Sequence, residues 1–455
     1  MVVYNMVLIN ILLGLVGLGI VVFFHELGHF LAARFVGINV EAFSIGWGKP
    51  VLKKKIGNVE YRLGMFPIGG YCKMQGESDY SNEAWENIEK GIKPEAGSYL
   101  AASPARRILV SFAGPFFNLV FAVLLLSFLW GIGFEVTTLS NKIILASDLD
   151  MSQVNPSDIA GLKTGDRIVM IDGKEVTYFH EIHENIALNP ERTLILTVER
   201  DGRFLDLDIT PELVKSTGAG RIGIITWTEP VIDIVMEGSP AYNAGLRQGD
   251  IVKSVNGEEI RHNVDFSRIR SENPGSLLLE YYRNGVIGQA EFTGEDAEGE
   301  LGFSWEVIRY RTPSLSIPAA IVKGVQEGYK TLVRSITSLR LLFMGIDLTK
   351  AVSGPVRITY MMGDVATSGF GQGFGIGLRS IVSFIALISI ALCVMNLLPL
   401  PVLDGGMMIL FFVEMIRRKP IPPKAIAVFQ TCGMVIIFAL MIFALFGDVM
   451  FFAGR

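Results

Sequence analysis

The chain has 455 residues, of which 50% are hydrophobic, and its mean hydropathy is +0.43. It is therefore too apolar for an ordinary soluble enzyme and too long for a single domain, and the composition predicts several domains in or on a membrane. The formal net charge of −5 is small for this length and gives no indication of nucleic-acid binding. Three cysteines, Cys72, Cys393 and Cys432, predict no disulfide framework.

Four apolar runs are long enough to cross roughly 30 Å of hydrocarbon. They predict transmembrane helices at about residues 6–33, 108–134, 381–403 and 425–446. Basic residues cluster in the loops after the first and third runs, including Arg106, Arg107, Arg417 and Arg418. By the positive-inside rule these loops are cytoplasmic, so we predict that both termini and the long middle region lie outside.

The first run contains His25-Glu26-Leu27-Gly28-His29, although each ionisable group in hydrocarbon costs roughly 2.5 kcal/mol or more. On a helix, residues four apart lie on one face, so His25 and His29 can reach one metal ion while Glu26 projects beside them. Zinc accepts such ligands and activates a water for a carboxylate base. The first apolar segment has no signal-peptide cleavage site, so we predict that it is retained. We also predict that His25, Glu26 and His29 belong to a zinc site. A chance match or a packed histidine pair is the alternative.

The loop after the first run, residues 34–107, is predicted to contain β-structure on the cytoplasmic side. Residues 40–74 are rich in β-branched and aromatic residues and are broken by Gly-Asn and Gly-Gly, which predicts hairpins. A hairpin edge could hold an unwound substrate segment as an added strand, and a purely structural sheet is the alternative. Residues 75–97 are polar and acidic and predict a solvated loop.

The second run contains Gly114-Pro115-Phe116-Phe117-Asn118. An asparagine inside an apolar run needs hydrogen-bond partners. Asn118 is therefore expected to bond to the catalytic helices or to contact the substrate, and the sequence leaves both options open.

The middle region contains an internal repeat. Residues 160–176 and 244–260 align without a gap in an AGLxxGDx(I/V)xxxxG pattern, which predicts two copies of one small domain at 135–225 and 226–312. The pattern resembles that of the PDZ domains of bacterial proteases. The sequence His-Glu-Ile-His-Glu at 180–184 has its histidines three apart, and we interpret it as a solvated helix face rather than a metal site.

Residues 317–343 are apolar, but four of their five charged residues recur at spacings of four, three and four, namely Lys323, Glu327, Lys330 and Arg334. These spacings place the charges along one helical stripe. We predict an amphipathic helix lying at the membrane surface, and a fifth span is the alternative.

The third run contains an acid, Asp404, in the sequence Asn-Leu-Leu-Pro-Leu-Pro-Val-Leu-Asp-Gly-Gly that starts at Asn396. Pro399 and Pro401 break the helix, which is tolerated at membrane depth only where protein or water satisfies the freed carbonyls. A catalytic zinc needs a third protein ligand, and we predict that Asp404 supplies it. A helix N-cap alone is the alternative.

These features divide the chain into eight predicted segments, in order: 1–33, 34–107, 108–134, 135–225, 226–312, 313–378, 379–417 and 418–455. The first, third, seventh and eighth contain the transmembrane helices, and the sixth contains the amphipathic helix and a connector.

The two zinc-site motifs, the Gly-Pro-Phe-Phe-Asn sequence and the paired PDZ-like repeats together resemble the site-2 protease family of intramembrane zinc proteases over nearly the full length. The resemblance implies a polytopic α-helical membrane protein of four transmembrane helices, with a membrane-associated β-hairpin region and two tandem PDZ domains. It implies that His25, His29 and Asp404 bind Zn²⁺ and that Glu26 is the catalytic base. Asn396, which opens the family's N-x-x-P-x-P-x-L-D-G motif, is implied to handle the substrate.

The resemblance also implies an endopeptidase of the bacterial inner membrane that cleaves single-span membrane proteins within the bilayer. Implied substrates are a membrane-anchored anti-sigma factor already trimmed outside and remnant signal peptides. A membrane scaffold or chaperone with PDZ domains and no chemistry is one alternative, and a transporter is another, since broken helices and buried ionisable groups also mark ion paths. The intact set of His25, Glu26, His29 and Asp404 favours the enzyme, and the lack of an inverted repeat argues against the transporter.

Overall fold

The computed structural model describes residues 2–77, 94–149, 154–341, 354–371 and 373–453. They form two compact units. The first comprises the described residues of Met1–Phe134, Thr312–Phe343 and Asp347–Arg455, and the second comprises those of Glu135–Arg311. Residues 78–93 of the predicted loop at 75–97 lie outside the described residues, as do residues 342–353 of the predicted connector.

The described helices are, in chain order: α1 Val2–Phe35, α2 Pro104–Ile132, α3 Pro156–Ile159, α4 Phe179–Ala187, α5 Pro240–Asn243, α6 Asn263–Glu272, α7 Glu295–Glu298, α8 Ile317–Leu341, α9 Pro355–Gly371, α10 Phe374–Asn396, α11 Asp404–Arg417 and α12 Pro423–Ala453. A 3₁₀ turn covers Ala146–Asp148.

The described strands are: β1 Val40–Ile56, β2 Val59–Met74, β3 Glu135–Thr138, β4 Ile143–Leu145, β5 Arg167–Ile171, β6 Lys174–Glu175, β7 Leu194–Arg200, β8 Arg203–Ile209, β9 Glu212–Leu213, β10 Gly220–Arg221, β11 Ile224–Thr226, β12 Ile232–Val235, β13 Ile251–Val255, β14 Glu258–Glu259, β15 Ser276–Arg283, β16 Val286–Thr293, β17 Phe303–Trp305 and β18 Ile308–Arg311.

Four helices of the described chain are long and apolar enough to cross a membrane, at Ile9–Phe35, Pro104–Ile132, Phe374–Asn396 and Lys424–Phe452. This agrees with the four predicted spans. The helix break predicted at Pro399 and Pro401 is confirmed, because α10 ends at Asn396 and Asp404 begins the separate helix α11. The prolines between them, which lack a backbone N–H, prevent a continuous helix.

The predicted hairpins at 40–74 are confirmed as a curled sheet made from β1 and β2. Residues 42–45 pair with 70–73 on one side and with 60–63 on the other, and residues 53–56 pair with 59–62. Phe43 packs edge-on against Phe30 of α1 at 5.4 Å between ring centroids. The core that joins the sheet to α1, α2 and α11 includes Val110 and Phe411, both almost fully buried. This core lies next to the helix faces that carry the polar motifs.

The second unit contains two four-stranded sheets of the same order, β6-β5-β7-β8 and β14-β13-β15-β16, each with its own buried core. The aspartate of each Gly-Asp pair is buried and makes equivalent contacts. Asp166 accepts two hydrogen bonds of 2.7 Å from Arg200, and Asp250 accepts bonds of 2.6 and 2.7 Å from Arg283. The two aligned sequence segments thus fold in the same way.

Candidate metal centre

Three side chains predicted from separate parts of the sequence meet at one point. His25 Nε2 lies 3.3 Å from Asp404 Oδ2, and His29 Nε2 lies 3.5 Å from Asp404 Oδ1. The two Nε2 atoms are 3.1 Å apart, and the ligand atoms of all three residues lie within 4.8 Å of one another. Two imidazole nitrogens and a carboxylate oxygen directed at one point are a donor set that fits zinc and leaves its fourth position open.

The orientation of His29 is fixed by the second span. Its Nδ1 lies 2.8 Å from the Val110 carbonyl oxygen of α2, which accepts the ring N–H and leaves Nε2 free to bind a metal. Pro115 cannot donate to the Ser111 carbonyl, so the helical hydrogen bonding is weakened in the turn that contains Val110. Val110 could not be recognised from its residue type, since its backbone carbonyl makes this contact.

Gly114 lies directly beneath the two imidazoles. A Cβ at this position would lie 2.6 Å from His29 Cε1 and 2.9 Å from His25 Cε1. Gly28 likewise permits close approach of α1 to α2, since its Cβ would lie 2.8 Å from the Ala113 carbonyl carbon. Glycine at both positions lets the second span pass close to the metal-binding face of the first.

Asn118 is fully buried, and its amide faces His25 Nδ1, with 3.4 Å between Nδ2 and the ring nitrogen. A neutral imidazole that binds metal through Nε2 carries its proton on Nδ1 and needs an acceptor there. Rotation of the amide by 180° presents Oδ1, which has no other hydrogen-bond partner in the described chain. The Asn118 backbone carbonyl accepts a bond of 2.8 Å from Ser389 of α10, which fixes the turn. Of the two options that the sequence left open, the structure shows contact with the catalytic helices.

Asp404 is held by a tightly folded loop. A Cβ at Gly405 would lie 2.5 Å from the Leu397 carbonyl carbon, and a Cβ at Gly406 would lie 2.7 Å from that of Leu400. Val402 has a φ of 77°, a strained value for a β-branched residue, two positions before the aspartate. Leu403 occupies the N-cap position and Asp404 is the first helical residue, so the alternative in which Asp404 is itself the N-cap is wrong.

Residues 13–440, nearly the whole chain, match the model described as Peptidase family M50. The chain belongs to peptidase family M50. A protein of Treponema pallidum (strain Nichols) named "Putative zinc metalloprotease" is 34% identical over 448 residues, which are 98% of this chain and 99% of that protein. "Regulator of sigma E protease" of Haemophilus influenzae is 29% identical over 471 residues, covering 95% of this chain and 97% of that protein. These findings confirm the predicted site-2 protease family, and this M50 chain is a membrane zinc metalloprotease.

In this M50 protease Glu26, which lies between the two histidines of the first motif, contacts the β-sheet and is not part of the group formed by His25, His29 and Asp404. A Cβ at Gly70 would lie 3.1 Å from Glu26 Cγ, so the Glu26 side chain lies directly beside this strand. Glu77, which the sequence assigned to a solvated loop, accepts a bond of 3.1 Å from the Met74 N–H, and burial raises the pKa of its carboxyl group. The outer edge of the strand 70–74 thus faces the metal centre.

The far end of α11 is fixed to the second span by a buried ion pair. Arg107 Nη2 lies 2.6 Å from Glu414 Oε1, and the Arg107 Nε–H donates to the Ala102 carbonyl at 3.2 Å. The guanidinium also stacks on Phe411, 4.8 Å from the ring centroid. Contacts at both ends of α11 therefore determine where its first residue, Asp404, lies in the M50 site.

Asn396 is the last residue of α10 and is half-buried, eight positions before Asp404. Its amide has no hydrogen-bond partner among the described residues of the M50 protease. The sequence motif at 180–184 forms part of α4, where His180 Nδ1 contacts Thr138 Oγ1 at 3.2 Å. Within the described ranges, the group at His25, His29 and Asp404 is the one cluster of three such side chains close enough to hold a metal ion.

Proposed function

We propose that the chain is an intramembrane zinc endopeptidase that cleaves single-span membrane proteins. The observation that carries this proposal is the meeting of His25, His29 and Asp404, two of them on a helix that is long and apolar enough to cross a membrane. Charged and polar groups are expensive in hydrocarbon and mark functional sites there. A metal site on a membrane-spanning helix suits an enzyme that hydrolyses a peptide bond within the membrane.

In the proposed mechanism, His25, His29 and Asp404 hold the zinc and Glu26 is the general base. Zinc, when bound, acts as a Lewis acid and lowers the pKa of a coordinated water to about 7. Glu26 takes the proton of the attacking water as the new C–O bond forms, and passes it to the amide nitrogen as the C–N bond breaks. Val110 and Asn118 keep the proton of each imidazole on Nδ1, so that Nε2 stays available.

A transmembrane substrate must unwind before hydrolysis, because helical hydrogen bonds protect its carbonyls. Helix-poor residues near the cleavage point lower that cost. We propose that the unwound segment is added as a strand at the edge of residues 70–74, the edge that lies against Glu26. In this proposal Asn396 holds the substrate backbone with its unpartnered amide.

The proposed location is the inner membrane, with both termini and the second unit outside. Support comes from the basic residues in the two predicted cytoplasmic loops. A cysteine at the exposed position Lys419 should then be shielded from an impermeant thiol reagent in intact cells, while one at Asp201 should react. The opposite pattern would invert the orientation.

The second unit is proposed to be a pair of PDZ domains that controls access. The substrates proposed are a membrane-anchored anti-sigma factor already trimmed outside and remnant signal peptides. The first is supported by similarity to a protein named regulator of sigma E protease.

The test combines zinc analysis with cleavage of a model single-span substrate in detergent. The wild type should contain one zinc and cleave within the span. Glu26→Gln should keep the zinc and lose cleavage, because an amide cannot accept the proton. Asp404→Asn should lose both the zinc and the cleavage activity. A Glu26→Gln variant that still cleaves would refute the mechanism, and a zinc-loaded wild type that cleaves no membrane substrate would favour the scaffold.

A further inference from the structure

Helix α8, residues Ile317–Leu341, has three different faces. One face is small and buried and consists of Ala320, Gly324 and Gly328. A second face is apolar and exposed and consists of Val322, Val325, Tyr329, Val333 and Ile336. The third face is the charged stripe, consisting of Lys323, Glu327, Lys330 and Arg334. An amphipathic helix at the membrane surface needs only an apolar face towards lipid and a polar face towards water. The additional small, buried face of α8 therefore requires an explanation.

The small face packs lengthwise along the second span, α2, in the opposite direction. Ala320 Cβ lies 3.9 Å from where a Cβ of Gly131 would be. One turn further, a Cβ at Gly324 would lie 2.9 Å from Ser127 Cα, and one turn beyond that a Cβ at Gly328 would lie 2.9 Å from Val123 Cγ2. Glycines at these steps let the two helices lie close together along their axes, as small residues do between membrane helices.

This packing places α8 deep beside the span. Leu332 packs against the cluster of Ala122, Ala386 and Ile390. From Ala320 to Leu332 the helix rises about 18 Å at 1.5 Å per residue, which is more than half of the roughly 30 Å hydrocarbon thickness. The orientation flat on the membrane surface that the sequence predicted does not fit this path. The next turn of α2 holds Asn118, whose amide faces His25.

The apolar face of α8 suits contact with lipid at this depth, but the charged stripe does not. Each lysine, arginine or aspartate at the centre of a membrane helix costs about 2.5–3.5 kcal/mol. The ion pair between Lys330 and Glu327, at 3.1 Å, compensates part of the charge but leaves the stripe polar. Polar groups within a membrane face the protein interior or a water-filled cavity.

We propose that the charged stripe of α8 lines a water-filled cleft that runs from the Gly131 end of α2 to the level of the metal centre. The cleft supplies the water that is consumed when each peptide bond is hydrolysed. This inference rests on the proposed function, because it assumes a hydrolytic site at membrane depth.

The experiment measures solvent access by cysteine labelling in intact cells. Single cysteines replace Lys330 and Arg334 on the stripe, and matched controls replace Tyr329 and Val333 at the same depth on the apolar face. All variants are made in the full-length chain with two background substitutions. Cys432→Ser removes the one native cysteine that is exposed. Glu26→Gln removes the proposed catalytic base, so that labelling does not depend on cleavage. An impermeant, charged thiol reagent added from outside should label both stripe positions and neither control.

Two labelling results would overturn the proposal. If neither stripe position is labelled, the stripe is dry. If both faces are labelled equally, α8 lies at the water surface.

A second measurement tests the supply of water. Lys330→Leu combined with Arg334→Leu should reduce the rate of substrate cleavage and leave the zinc content unchanged, whereas Val333→Leu should leave both unchanged. Unchanged cleavage in the double variant would overturn the role as a supply route. If the wild type itself does not cleave, the proposed function fails, while the labelling result still decides whether the cleft exists.

Discussion

Gly114 of the second span lies against His29 so closely that any Cβ would collide with the imidazole ring. The contact explains why a Gly-Pro sequence interrupts an apolar run. The glycine removes a side chain beneath both imidazoles, and the proline weakens the turn whose Val110 carbonyl orients His29. The second span therefore shapes the metal centre without supplying a ligand.

Gly114→Ala should lower zinc affinity and cleavage together. Adding one methyl group to a closely packed site costs typically 1–3 kcal/mol, which is roughly a 5- to 150-fold loss in an equilibrium constant. Gly19→Ala on the first helix is the matched control, because a Cβ at Gly19 meets nothing within 4 Å. Zinc content and cleavage rate are measured on both purified variants. Full zinc occupancy in Gly114→Ala at limiting metal would contradict the expectation.

Asn118→Leu should weaken zinc binding by about 10- to 100-fold, the usual effect of losing an outer partner of a metal ligand. The physical reason is that the N–H at Nδ1 of His25 would face an apolar side chain. Asn118→Asp keeps an acceptor at this position and should bind zinc more tightly than the leucine variant. Competition with a zinc chelator measures both. Equal affinities for the two variants would mean that Asn118 serves packing alone.

The sequence predicted the chemistry of this site better than its framework. The spacing of His25 and His29 is a local helical property, and Asp404 stands out as an acid in an apolar run, so both could be recognised. Val110, Gly114 and Glu77 were missed because their roles arise from contacts between distant segments. The surface orientation of α8 stays a prediction, because periodicity alone cannot distinguish a water-facing stripe at the membrane surface from one that lines a cleft, as we propose.

Glu414→Ala should destabilise the protein by about 3–5 kcal/mol, since Arg107 would be left as a buried, unpaired charge. The double variant Glu414→Leu with Arg107→Met removes both charges and should recover much of this loss. Glu272→Ala is the surface control. Its exposed pair with Arg268 is expected to contribute at most about 1 kcal/mol. Thermal unfolding in detergent measures all three, and a mild effect of Glu414→Ala would show that Arg107 finds another partner or water.

Stability should fall on mild acidification because of His262, the N-cap of α6. Its Nδ1 accepts the Asp265 N–H at 3.2 Å, and its ring packs edge-on against Trp227 at 4.6 Å. Burial lowers the pKa of His262, and Arg261 and Lys142 lower it further against the opposing effects of Asp265 and Asp148.

The folded state therefore binds this proton less readily than the unfolded state, whose histidine titrates near pH 6.5. The contribution of neutral His262 to the free energy of unfolding is complete above about pH 6.5, and it is lost as the pH falls towards the lowered pKa of His262 in the folded state. His262→Asn keeps a side-chain acceptor at the N-cap and should reduce the loss of melting temperature between about pH 7.5 and about pH 5.5. An identical loss in the variant would assign the acid sensitivity to other groups.

The last prediction concerns the proposed control of substrate access by the second unit. The chain leaves the first unit and returns to it at adjacent points. The Thr312 N–H donates to the Phe134 carbonyl and the Phe134 N–H donates to Thr312 Oγ1, both at 2.9 Å, and β3 pairs with β18. Residues 135–311 can thus be removed by joining Phe134 to Thr312 through a short linker, with little strain on the first unit.

A folded barrier rejects bulky substrates without recognising their sequence, and specificity through rejection needs only a steric clash. We therefore expect that the wild type loses cleavage as the outside portion of a substrate is lengthened stepwise, and that the deletion variant does not. Zinc content of the deletion variant is the control for an intact metal centre. A zinc-loaded deletion variant that still rejects large substrates would exclude this filter. A peptide-binding gate would instead be indicated if substitutions in the loops before Ala160 and Ala244, where PDZ domains receive a strand or carboxylate, blocked cleavage of small substrates.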